Sequence, residues 1–214
     1  NIKGAVEMAL KDYERAIESY GKALEINQGH PDLYYNLGNA YRENNSYQDA
    51  LENYQKAIEM KPDYAEVYLN MGALYKEAKE YDMAINQYKK AIKYKPNYAE
   101  AFYNLGAINK TKGNITSSIY YLDKSLEDSP NYLEPYLSKA SLYLDNINLE
   151  QSLELFSKAL EIDPNCIRAI NGIGSIYHDT GNYKKAEYYY TKSLNIDNNK
   201  ENTHCNLGLL YHDM

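Results

Sequence analysis

The chain has no tryptophan, only two phenylalanines, two cysteines and six prolines among its 214 residues. Two cysteines cannot build a disulfide framework, so a reducing setting, cytoplasmic or nuclear, is expected. No apolar run approaches the roughly 20 residues of a membrane-spanning helix, and no signal-peptide pattern opens the sequence, so no membrane partner is expected. A surplus of positive charge is missing as well: 23 basic residues face 30 acidic ones, for a net charge of −7. Nucleic-acid binding, which sets a cationic surface against phosphates, is therefore not expected. With 44% hydrophobic residues and mixed charges, the composition also excludes disordered tails and glycine-rich fibres. What is abundant is tyrosine (26 residues) and asparagine (24 residues). Together with frequent Lys and Ile, this looks like the coding bias of an AT-rich genome.

Self-similarity dominates the rest of the reading. Pro62, Pro96, Pro130 and Pro164 are spaced by 34 residues. Gly38, Gly72, Gly106, Gly174 and Gly208 keep the same register, with Ala140 in the gap. Two small columns repeat beside them: Ala50, Ala84, Ser118, Ser152 and Ala186, then Ala57, Ala91, Ser125, Ala159 and Ser193. No insertion or deletion disturbs the period after residue 31. Complete repeats fall at 31–64, 65–98, 99–132, 133–166 and 167–200. A degenerate leading repeat covers 1–30 and a half-repeat covers 201–214, all within one array over 1–214.

Within residues 65–98, Tyr68, Met71, Leu74 and Tyr75 recur at helical spacing. Lys79-Glu80 interrupts, and a second helical face follows with Tyr81, Ala84, Ile85, Tyr88, Ala91 and Ile92. Pro96 ends that helix. Gly113-Asn114 and Gly181-Asn182 supply the left-handed backbone a turn between the two helices prefers. Each repeat is thus a helical hairpin. Its Gly, Ala and Ser columns let the two helices approach closely, and aromatic columns fill the space so opened. One hairpin cannot bury its apolar face alone, so neighbours must stack.

These residues resemble the tetratricopeptide repeat (TPR) family; the segment VYLNMGALYKEAKEYDMAINQYKKAIKYKP at 67–96 follows its pattern nearly position for position. The resemblance spans about residues 13–211. It implies an all-α, right-handed TPR superhelix, an α-solenoid of 34-residue hairpins whose first helices line a concave groove that grips peptides or partner proteins without catalysis. Several positions depart from the pattern. Asn109 stands in an aromatic column and Ser118 in the Ala column, which predicts that the 99–132 hairpin is the softest. Lys139 replaces an apolar residue, Gln28 and Asn198 replace the closing proline, and Glu7 in an aromatic column predicts a poorly formed first helix. Starting and stopping inside repeats suggests a piece of a longer protein.

The groove is the candidate site. Two residues before the Gly column stand Asn36, Asn70, Asn104 and Asn206, with Ser138 and Gly172 between. An amide offers two donors and an acceptor, so such a ladder suits an extended peptide backbone. It is similar to the ladder in protein O-linked N-acetylglucosamine transferases, although Asn is also simply common here. Tyr35 and Tyr103, one step away, suit apolar anchorage. Arg42, Lys76 and Lys110, continued by His178 and His212, form a possible cationic wall; the same residues near helix C-termini also answer the helix dipole. Asp32, Glu66, Glu100 and Glu134 sit where carboxylates favour helix N-termini. The carboxylate clamp of chaperone-tail binders is not matched, because Tyr35, Asn39, Glu100 and Asn104 occupy its positions without the cations. Most other tyrosines, Tyr47, Tyr81 and Tyr183 in one column and Tyr54, Tyr88 and Tyr190 in another, read as core.

No catalytic residue, metal site or cofactor is expected. The repeated Tyr-His-Asp strings at 177–179 and 211–213 place equivalent histidines about 8–10 Å apart, too far to share an ion. The leading reading is a non-catalytic module binding a protein or an extended peptide. Alternatives are the substrate-recognising region of a larger enzyme such as an O-linked N-acetylglucosamine transferase, or a scaffold that self-associates end to end through Leu207, Leu210 and Tyr211.

Overall fold

The computed structural model describes residues 2–27 and 29–214. Among them are thirteen α-helices and no strand, paired as hairpins: α1 (Ile2–Ala9) with α2 (Tyr13–Ile26), α3 (Pro31–Glu43) with α4 (Tyr47–Met60), α5 (Ala65–Glu77) with α6 (Tyr81–Tyr94), α7 (Ala99–Thr111) with α8 (Ile115–Asp128), α9 (Leu133–Asp145) with α10 (Leu149–Ile162), α11 (Ile167–Asp179) with α12 (Tyr183–Ile196), and finally α13 (Glu201–Asp213). The chain forms two compact units that divide within α7, after Asn104. None of these helices is long and apolar enough to cross a membrane. Gln28, where the closing proline is replaced, lies outside the described residues.

The turn inside each hairpin has one geometry. Lys11, Asn45, Lys79, Gly113, Ile147 and Gly181 are 34 residues apart and all have φ between 59° and 76°. At each, the next residue's N–H reaches back to close the helix end, as in Ser46 N to Tyr41 O at 2.8 Å and Asn148 N to Tyr143 O at 2.8 Å. This six-to-one bond satisfies a carbonyl that the helix leaves without a partner. Glycine is thus found at two of the six turns, although all six need a left-handed residue.

Helix pairing rests on a small residue facing a large one sixteen positions later. A Cβ at Gly38 would lie 2.6 Å from the Tyr54 ring, at Gly72 2.7 Å from Tyr88, and at Gly174 2.6 Å from Tyr190. These rings lie flat where a side chain would stand, and Tyr54 and Tyr88 are wholly buried. Complete burial of such a ring contributes on the order of 1.5–3 kcal/mol. The Ala and Ser columns beside them are equally sealed. Where serine replaces alanine, its hydroxyl donates across the hairpin: Ser118 to Gly106 O at 2.8 Å and Ser152 to Ala140 O at 2.9 Å. Asn109, also buried, donates to Leu105 O at 2.8 Å. The polar substitutions of the 99–132 hairpin are therefore paired.

Three expectations need correction. The first helix does form: Glu7 is buried in α1, with Lys3 3.8 Å from its carboxylate. Tyr47 is not core; its ring is 46% exposed at the start of α4, where the hydroxyl donates to Asn45 Oδ1. Leu210 is wholly buried against Ala186 and Tyr190, so of the three residues proposed for end-to-end stacking only Tyr211 is exposed, and its hydroxyl donates to Glu187. Lys139, the misfit in an apolar column, extends to Asp123 at 2.5 Å and lies near the Tyr143 ring, keeping its stem packed and its charge outside.

Candidate functional site

In the first unit, one face of α3, α5 and α7 carries most of the predicted groove residues. Tyr35, Asn36, Asn39, Asn70, Lys76, Tyr103 and Asn104 are all half-buried there. The helical register explains this: positions 35, 36 and 39, and their 34-residue equivalents, lie on the side of the first helix turned away from its own second helix.

Much of the amide ladder is engaged within the protein. Asn70 Nδ2 donates to Asn39 Oδ1 at 2.8 Å and weakly to the Tyr35 hydroxyl at 3.4 Å. The same Asn39 oxygen accepts from the Tyr54 hydroxyl at 2.7 Å. Tyr35 stacks obliquely on Tyr64, with ring centroids 5.1 Å apart, and Tyr64 donates to Asp32 at 2.7 Å. A polar network therefore joins α3, α4 and α5. Burial drives the Tyr54 phenol well above its ordinary pKa, and burial with the Asp32 hydrogen bond does the same for Tyr64. Both stay protonated donors at neutral pH. Tyr54, Tyr64 and Asp32 were not among the predicted site residues. A pointer was available: Asn39 is the one amide in a column otherwise filled by Ala73, Ala107, Ser141 and Ser175.

Asn104 is held differently. Its Oδ1 accepts from Lys76 Nζ at 2.6 Å and its Nδ2 donates to Glu100 O at 2.8 Å. Burial pulls the Lys76 pKa below the ordinary lysine value, with Glu77 opposing weakly. The other predicted cations meet carboxylates. Arg42 is clasped by Glu43 at 2.7 Å, and Lys110, in the second unit, lies 3.9 Å from Asp145. Each acid of the first-turn column sits at a helix N-terminus, and three of them also reach one repeat onward: Asp32 to Tyr64, Glu66 to Lys95 at 3.6 Å, and Glu134 to Arg168 at 2.7 Å. His178 pairs with Asp213 at 2.9 Å, linking the two Tyr-His-Asp strings.

The second unit breaks the ladder at Ser138 and Gly172, and the structure shows why at Gly172. Ala140 carries the Cβ that the other hairpins' glycines lack, and the Phe156 ring lies instead against α11, where a Cβ at Gly172 would be 2.4 Å from it. The ring fills the root of the ladder position. Asn206, the ladder's last member, lines a cleft of about 420 Å³ with Gly172, Phe156 and Arg168.

Comparison with known proteins agrees with this architecture. The family model described as TPR repeat matches residues 4–44, 38–79 and 74–113, and the one described as tetratricopeptide repeat matches 131–199. No curated protein sequence matches the chain. Among solved structures, YrrB, titled a TPR protein with an unusual peptide-binding site, superposes with a TM-score of 0.67 at 24% identity, covering 87% of this chain and 96% of YrrB. MamA gives 0.68 at 25% identity over 79% of this chain and 93% of its own. PilF of Pseudomonas aeruginosa gives 0.81 at 20% identity over 98% and 92%. Hairpins of this length, closed by one turn geometry and repeated at 34 residues, are what those patterns encode; this all-α solenoid belongs to the tetratricopeptide repeat family.

Proposed function

We propose that the protein is a non-catalytic interaction module that binds an extended peptide or a partner protein along the first-helix face of α3, α5 and α7. Asn36, Asn70 and Asn104 offer amides to the peptide backbone. Tyr35 and Tyr103 supply apolar anchorage, and Lys76 meets an acidic group of the ligand. YrrB, a structural relative whose title names a peptide-binding site, is consistent with this reading.

The observation that carries it is Lys76. A half-buried ammonium costs free energy unless an opposite charge compensates it, yet the group it touches is the neutral Asn104 amide. A ligand carboxylate arriving there supplies the missing charge, and Asn104 Oδ1 is then released to accept a peptide N–H.

The test compares partners captured from lysate by the wild type and by the Asn36/Asn70/Asn104→Ala variant, after their thermal melts are matched. Loss of the captured partners with folding intact supports the face as the binding site. Retention of the same partners places binding elsewhere and removes the amide ladder from the mechanism. A Lys76→Met variant separates charge from packing: it should weaken capture and make what remains less sensitive to salt.

A further inference from the structure

The break in the ladder leaves a cleft whose lining differs in kind from the first unit's face. Its floor is Phe156, Leu137 and Leu144, beside the bare backbone of Gly172, and its rim is the amides of Asn171, Asn202 and Asn206. In the first unit the positions equivalent to Gly172 carry asparagine side chains; here the displaced Phe156 ring excludes one and presents an apolar surface instead. The second unit thus exchanges one rung for a hydrophobic depression of about 420 Å³.

Two further observations say what fits. Arg168 is the one charged residue that lines the cleft. It is 59% exposed and paired with Glu134, which is 38% exposed, so the pair is a surface contact of small net worth that a ligand carboxylate can replace. On the opposite wall, Asn171 donates to Thr203 at 2.7 Å, but its Oδ1 is buried without a hydrogen-bond donor among the described residues. A ligand N–H brought to that oxygen adds a bond without breaking one.

We infer that this cleft is a second binding site, separate from the first-unit face, for an extended segment of another protein that carries a bulky apolar side chain followed by an acidic residue. The apolar side chain rests on Phe156 in the space Gly172 leaves, the acid pairs with Arg168, and the backbone between them meets the Asn202 and Asn206 amides. The inference shares with the proposed function only the idea that first-helix faces bind peptides, and it stands on different residues.

The test is NMR titration of the isotope-labelled full chain with the acetylated, amidated tetrapeptide Ser-Phe-Glu-Ser, alongside Ser-Phe-Gln-Ser and Ser-Ala-Glu-Ser. The expected result is saturable shifts at the Gly172 backbone amide and the Asn171, Asn202 and Asn206 side-chain amides. Affinity should fall about tenfold or more when the peptide's Phe is removed, and about two- to fivefold when its Glu becomes Gln. Arg168→Gln, an exposed change that leaves the core untouched, should abolish the Glu/Gln difference while retaining the Phe dependence. The Asn36/Asn70/Asn104→Ala variant should bind the tetrapeptide unchanged, so failure of the first-unit face and failure of this cleft are read independently. Absence of saturable shifts at these residues up to about 5 mM peptide, equal binding of the Glu and Gln peptides, or binding of a free-carboxylate Ser-Ser-Phe peptide in place of the capped acidic one would each overturn the inference.

Discussion

Restoring the ladder at its break should cost stability, and the cost can be worked out. In the hairpin of α3 and α4, Gly38 receives the Tyr54 ring and Asn70 stands on the next first helix; the corresponding residues at the break are Ala140, Phe156 and Gly172. A side chain at Gly172 would meet Phe156 Cε2 and Cζ at 2.4 Å and Cδ2 at 2.9 Å, distances at which the ring or the helix must move. Forcing atoms into such a packed site typically costs about 1–3 kcal/mol. Replacing a mid-helix glycine with asparagine returns only a few tenths of a kcal/mol in helix propensity. Gly172→Asn should therefore destabilise the protein by about 1–2.5 kcal/mol. The cause is a single ring, so the cost must depend on it. In a Phe156→Leu background, Gly172→Asn should cost at least 1 kcal/mol less than in the wild type, roughly the coupling measured between touching residues. Adding Ala140→Gly and Phe156→Tyr to Gly172→Asn rebuilds the triad of the first unit and should recover most of the loss. The assay is urea unfolding followed by circular dichroism and by tyrosine fluorescence, because a repeat array reports a single free energy only when the two probes coincide. A neutral Gly172→Asn, or a cost unchanged in the Phe156→Leu background, would refute the steric coupling.

Three other outcomes follow from local geometry. Ile147 is a β-branched residue at φ 59° with its side chain 82% exposed, in a column where Gly113 and Gly181 have the same backbone; Ile147→Gly should raise stability by about 1 kcal/mol, and thermal melts should show a rise of roughly 2–4 °C. The Tyr88 hydroxyl is buried without a partner among the described residues, because Ala73 stands where Asn39 receives Tyr54; Tyr88→Phe should be neutral or stabilising and Tyr54→Phe should cost about 1 kcal/mol, and equal losses in chemical denaturation would contradict the assignment. Burial, with help from Asp179, pushes the Tyr190 phenol up to about 12 from an ordinary value of 10.0. A raised folded-state pKa contributes stability that is complete below the unfolded value and lost as pH climbs through the folded one. Base unfolding should therefore set in between about pH 10 and 12, with a late class of tyrosines ionising as helicity disappears. Tyrosinate absorbance rising in one step near the ordinary value, with helicity intact, would exclude this.

The period carries the fold on its face. Gly38, Gly72, Gly106, Gly174 and Gly208 at one spacing, with prolines closing the second helices, state the number of hairpins, their lengths and their turns, because helix pairing is short-range and each repeat meets the same neighbours. Departures from the pattern are less legible. Glu7 reads as a helix defect, yet α1 forms, since the first helix is held by Gly4 against Tyr20 rather than by its seventh residue. Leu210 reads as surface available to a second copy, yet it lies beneath α13 against Tyr190.

What the sequence by itself determined is the all-α hairpin array, its register and the face on which Tyr35, Asn36, Asn70, Asn104 and Lys76 lie. These follow from a 3.6-residue helix and a repeat free of insertions. Tertiary structure decided what those side chains do. The Asn70 amide turns to Asn39, Tyr54 enters the same network from another helix, and Lys76 finds an amide rather than a carboxylate. Such choices depend on which groups reach one another across helices 28 to 35 residues apart in sequence, at distances where an ångström decides whether a hydrogen bond exists. The same holds at Gly172: a missing asparagine reads as a gap in a consensus, and only the position of the Phe156 ring shows it to be an apolar cleft.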